Sequence, residues 1–62
     1  MHIKLTTRET DVHQLIVIGQ SNQRIAEELK ISINTVKTHV AKILHKRGAK
    51  NRIELITKNI IK

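Results

Sequence analysis

Hydrophobic residues recur along this chain at intervals of three and four, the period of a helix face. Val12, Leu15 and Ile16 form one such set, and Ile25, Ala26 and Leu29 a second. Val36, Val40, Ile43 and Leu44 form a third, inside the stretch from Ser32 to Leu44. Cap residues bracket each set. Thr6 with Glu9 three residues on is a capping box, Ser21 and Ser32 are N-caps by type, and Gly19 and Gly48 supply the left-handed residue that stops a helix. Asn51 with Glu54 is a second, weaker box. The pattern predicts helices from Thr7 to about Ile18, from Asn22 to Leu29, from about Ile33 to Lys46, and from Arg52 to about Ile61. Leu5 is placed to pack onto the first. Only Lys30, Ile31 and Ser32 separate the second set from the third, a link short enough to turn one helix sharply across the other. Two helices so joined are a helix-turn-helix, and the expected fold is all-α, a single four-helix domain over residues 1–62.

The last helix carries a surplus of apolar surface. Ile53, Ile56 and Ile60 share a stripe that can pack on the first and third helices, while Leu55 lies nearly opposite and Ile61 to the side. The remainder would be exposed unless a partner covers it or the last turn frays. A second copy of the chain is the simplest partner, which makes residues from about 52 to 61 the dimerisation helix and Leu55, Ile56, Asn59 and Ile60 its candidate contacts.

Charge separates the third helix from the rest. Of the net charge of +7, the segment from Ser32 to Arg52 contributes Lys37, Lys42, Lys46, Arg47, Lys50 and Arg52 with no Asp or Glu. Before it, Lys4, Arg8, Arg24 and Lys30 balance Glu9, Asp11, Glu27 and Glu28. A solvated face often carries like charge, but confinement to one helix and its following loop points to a phosphate-facing surface. Asn34, Thr38, Ala41, Lys42 and His45 occupy the polar side, with Lys37, His39 and Lys46 on its flanks. Lys42 and Lys46 are therefore candidate phosphate contacts, as are Ser32, Asn22 and His39, and Asn34 is exposed where it can pair with adenine.

Composition narrows the ligand. No Phe, Tyr or Trp is present, so base stacking on aromatics is excluded and a duplex is favoured over single strands. There is no Cys, and no apolar run approaches the roughly 18 residues of a membrane span; a cytoplasmic protein is expected. The four His never stand at i, i+4, so no metal site is expected, and no cofactor or small-molecule ligand either. Neither a nucleophile with its base nor a phosphate-cradling glycine loop is present, and enzyme activity is not expected.

The string Leu5-Thr6-x-Arg8-Glu9-x-x-Val12-x-x-Leu15-Ile16-x-x-Gly19-x-Ser21-Asn22-x-x-Ile25-Ala26, continued by Leu29-x-Ile31-Ser32-x-x-Thr35-Val36-Lys37-x-His39-Val40, resembles the LuxR/GerE family of bacterial helix-turn-helix domains. That family includes the C-terminal output domains of many response regulators. The resemblance runs without a gap from Leu5 to about Ile56. It implies sequence-specific binding of double-stranded DNA in transcription regulation, the third helix in the major groove and a homodimer through the fourth, with RNA polymerase as a further candidate partner. By position it implies base contacts from Lys37, Thr38 and Ala41 and backbone contacts from Thr35 and Lys42. Lysine is common in relatives where this chain has Ala41, so base reading there is weakened. His13 and Arg47 stand where relatives often have Leu, and Ala49 where Val or Leu is frequent, which implies a thinner core, with Arg47 free to turn outward. Glu9 is expected to cap the first helix and to pair with a basic side chain across the core.

Two other functions fit parts of this pattern. A sigma factor's promoter-reading end has a similar helix-turn-helix, although the run Asn51-Arg52-Ile53-Glu54-Leu55 favours LuxR/GerE. A basic module binding anionic surfaces would need the third helix's apolar stripe for lipid, and the core needs it instead.

Overall fold

The computed structural model describes residues 3–60, with side chains described through Thr57. Four helices follow in order: α1 (Thr7–Val17), α2 (Asn22–Leu29), α3 (Ile33–Arg47) and α4 (Arg52–Ile60). There is no strand among the described residues. The expected boundaries hold to within a residue, and the helix starts and the ends of α1 and α3 are set by caps read from sequence. Expectations placed on Ile61 fall outside the described residues.

At α1 both halves of the capping box form: the Glu9 N–H donates to Thr6 Oγ1 at 3.1 Å, and the Thr6 N–H donates to Glu9 Oε1 at 2.9 Å. Ser21 and Ser32 accept the N–H groups of Arg24 and Thr35 at 3.1 and 3.0 Å. At the far end of α1 the N–H of Gly19 donates to Ile16 O and that of Gln20 to Leu15 O, the Schellman arrangement. Gly48, with φ of 64°, ends α3 in the same way, and Ala49 N–H reaches back to Leu44 O. The second box departs from its expected form. Glu54 N–H does donate to Asn51 Oδ1, but the Glu54 carboxylate accepts from the N–H of Lys50.

α2 turns into α3 through Lys30, which adopts the left-handed conformation at φ 59° that glycine takes at the ends of α1 and α3. Its strain is accepted because Ile31 N–H then closes onto Ala26 O and Ser32 caps the next helix.

The core gathers one or two side chains from every helix: Val12 and Ile16, Ile25 and Ala26, Val36 and Ile43, and Leu55. Leu5, Leu15, Leu29, Ile31, Val40, Leu44, Ala49 and Ile56 close over it. α3 rests chiefly on α1 and α2, which leaves its opposite face to solvent.

The fourth helix corrects the sequence reading. Leu55 is 2% exposed and belongs to the core, whereas Ile53 is 69% exposed. Ile53 thus faces solvent where a core stripe was expected, and Leu55 is not available as a dimer contact. Ile56 is half-buried against the core. The side chains of Asn59 and Ile60 lie outside the described residues.

Candidate nucleic-acid interface

The exposed face of α3 is built from Asn34, Lys37, Thr38, Ala41 and Lys42, all open to solvent, at spacings of three and four that keep them on one side. This face exists because Val36 and Ile43 are fully buried on the other. Ion pairs join Arg8 to Asp11, Arg24 to Glu27, and Lys46 to Glu9. Lys37, Lys42, Arg47 and Lys50 stand exposed outside these pairs, although the Lys42 charge helps to lower the pKa of Glu9 and the Glu54 carboxylate lies against the Lys50 backbone. Arg47 stands exposed, as expected. Its charge and the stronger effect of burial both lower the pKa of the half-buried His13.

Hydroxyls at the start of α3 are already committed to one another. Ser32 Oγ and Thr35 Oγ1 lie 2.8 Å apart, and Ser32 also accepts the Thr35 N–H. One hydroxyl proton bridges the pair, so one remains for an outside acceptor. Thr38 turns its hydroxyl back onto its own helix, donating to Asn34 O at 3.1 Å, which leaves the methyl as the less engaged end of an exposed side chain. His39 is half-buried, with Nδ1 enclosed and without a protein partner among the described residues. Of the two ring nitrogens, Nε2 is therefore the one left to meet an outside group.

Lys46 departs from the expected role. Its Nζ lies 2.7 Å from Glu9 Oε1 and 3.4 Å from the Lys4 carbonyl. The same Glu9 oxygen accepts the Thr6 N–H, so one atom closes the cap of α1 and ties it to the last turn of α3. The hydrogen bond from Lys46, helped by that from Thr6, holds the Glu9 carboxyl below the usual range although burial opposes it. Lys46 is thus a fixed internal counterion. This is the basic partner expected for Glu9, at a residue read from sequence as a phosphate contact.

Asn22, the first residue of α2, is likewise engaged: its Oδ1 accepts a short hydrogen bond from the Arg52 guanidinium. The second arm of Arg52 donates to Gln20 O at 2.6 Å. Nothing local in the sequence announces this contact, since it joins positions about thirty residues apart.

With this geometry in view, the comparisons are specific. The sequence profile described as "Bacterial regulatory proteins, luxR family" matches residues 4–58. The chain belongs to the luxR family. This luxR-family domain is 44% identical over 89% of its length to the transcriptional regulatory protein DesR of Bacillus subtilis, covering 28% of that protein. It is 45% identical over 97% of its length to the transcriptional regulatory protein DegU of Brevibacillus brevis, covering 25% of it. To the response regulator protein VraR of Staphylococcus aureus it is 46% identical over 84% of its length, again covering 25%. The domain spans about a quarter of the length of these curated relatives. Membership makes this a DNA-binding domain of a transcription-regulating family, and the sigma-factor alternative is set aside. No helix among the described residues is long and apolar enough to cross a membrane.

Proposed function

We infer that this luxR-family domain binds double-stranded DNA sequence-selectively, with α3 in the major groove. The supporting observation is the exposed α3 face, where cationic and amide side chains stand together without a carboxylate. Lys37 and Asn34 are the hydrogen-bonding base readers, Lys to guanine O6 and N7 and Asn to adenine. Thr38 and Ala41 contribute apolar contact, with the Thr38 methyl suited to that of thymine. Lys42, His39 through Nε2, the Ser32–Thr35 hydroxyl pair and the Asn22 amide contact phosphate. Lys46 leaves this set, since its ammonium is held by Glu9.

The active unit is a homodimer joined through α4 in a cytoplasmic transcription regulator, with RNA polymerase as a candidate partner. The outward side of α4 begins at Ile53, an exposed isoleucine that a second copy would cover. The domain itself performs binding without catalysis, cofactor or small-molecule ligand.

Selection of bound duplexes from a random pool at near-physiological salt tests this reading. A two-fold symmetric motif with half-sites about one helical turn apart is expected. A selected pool indistinguishable from the input would overturn it. Lys37→Ala should then relax preference at one position of each half-site, and an unchanged motif removes Lys37 from the base readers.

A further inference from the structure

We propose that Arg52, at the start of α4, is a positioning residue for DNA binding, orienting the Asn22 amide so that its NH2 group faces the phosphate backbone. The inference rests on the DNA-binding reading above and adds a residue outside the helix-turn-helix.

A guanidinium has donors only, so the Asn22 atom that meets Arg52 must be the carbonyl oxygen. That choice fixes the other end of the amide. Its NH2 group has no protein partner among the described residues and is not enclosed, as a half-buried side chain at the first residue of α2 allows. Without Arg52 the amide is free to flip, and half its orientations present an acceptor to a negatively charged backbone. The second arm of Arg52 holds Gln20 O at 2.6 Å, in the turn that leads into α2. The fork therefore sets both the side chain and the backbone approach of Asn22. Arg52 is itself half-buried and spends donors inward, which separates it from the exposed Lys37 and Lys42. α4 also carries the proposed dimer contact, so the same helix that meets a second copy reaches the DNA-facing end of α2.

The test is a double-mutant cycle on affinity for the selected duplex, using the 62-residue chain, with Asn22→Ala, Arg52→Gln and the pair. Each single variant should weaken binding by roughly two- to tenfold, the range of one hydrogen bond, and the pair should be no weaker than the worse single. The salt slope should stay at the wild-type value in all three, because no phosphate charge is neutralised by Arg52. Additive losses, or a slope reduced by about 0.9 in Arg52→Gln, would make Arg52 an independent contact and overturn the inference. Should Arg52→Gln not fold, Arg52→Lys keeps the charge but has a single donor atom in place of the two-armed fork, and the same non-additivity with Asn22→Ala is required of it. An Asn22→Ala chain that binds as wild type while Lys42→Ala is weakened overturns the inference alone. Wild-type chain that binds no duplex overturns the DNA reading with it.

Discussion

Glu9 Oε1 accepts from both the Thr6 N–H and the Lys46 ammonium, so a single oxygen links a helix cap to a contact across the core. Replacing Lys46 by Met keeps the aliphatic stem but leaves that enclosed carboxylate without its cation. Lys46→Met should lower the thermal midpoint while leaving the salt slope of DNA binding at the wild-type value. A lowered slope with an unchanged midpoint would return Lys46 to the phosphate contacts. Acid acts on the same site. Because the folded carboxyl has a lowered pKa, its contribution is complete above the ordinary glutamate range and is lost as pH falls through the lowered value. His13 works in the same direction at higher pH: its folded pKa is also lowered, so the folded state resists a proton that the unfolded chain accepts below about 6.5. Melting curves from pH 8 to 3 should therefore decline in two stages, the first beginning near pH 6.5 and the second below about 4.3. His13→Leu should abolish the first stage and keep the second; retention of both would place the upper titration elsewhere. Lys30 offers a change of opposite sign. Its left-handed backbone is strained for any side chain, so Lys30→Gly should stabilise the fold by about 1 kcal/mol in a denaturant titration.

Element ends were legible because they are local. Thr6, Ser21 and Ser32 each lie within three residues of the N–H they accept, and Gly48 follows directly on α3 while Gly19 stands two residues past the end of α1. The exposed face of α3 was legible for the same reason, since one helix carries both its buried stripe and its polar side. The rotation of α4 was not. By sequence Ile53 and Ile56 share a stripe that leaves Leu55 nearly opposite, yet the core takes Leu55 with Ile56 beside it and leaves Ile53 in solvent. What decides between them is tertiary: Arg52 is pinned to Gln20 and Asn22, and this turns Leu55 inward. The outcome is measurable as a contrast. Leu55→Ala should cost about 2–5 kcal/mol, enough to unfold much of a domain this small. Ile53→Gln should change stability by no more than about 0.5 kcal/mol. Equal losses at the two positions would mean that α4 packs in the other rotation.

For the whole molecule the question is how many of its cations meet DNA. The segment from Ser32 to Arg52 carries six basic residues, but Lys46 is held by Glu9 and Arg52 by Gln20 and Asn22. Lys37, Lys42, Arg47 and Lys50 remain, and at about 0.9 per neutralised phosphate they limit the segment's logarithmic salt slope to about 3.6 for one protomer. Two protomers on a symmetric site double that value. Ile53→Gln alters no charge and lies on α4 away from the α3 face, so its effect isolates the interface. On a duplex bearing both half-sites it should reduce the slope towards the single-protomer value, because the second copy no longer joins the first. On a duplex bearing one half-site the variant and the wild type should have the same slope. Sedimentation of the two chains on each duplex gives the stoichiometry independently. A wild-type chain that stays monomeric on the two-site duplex, with a slope of at most about 3.6, would show that α4 joins no second copy there and that Ile53 is covered by something else.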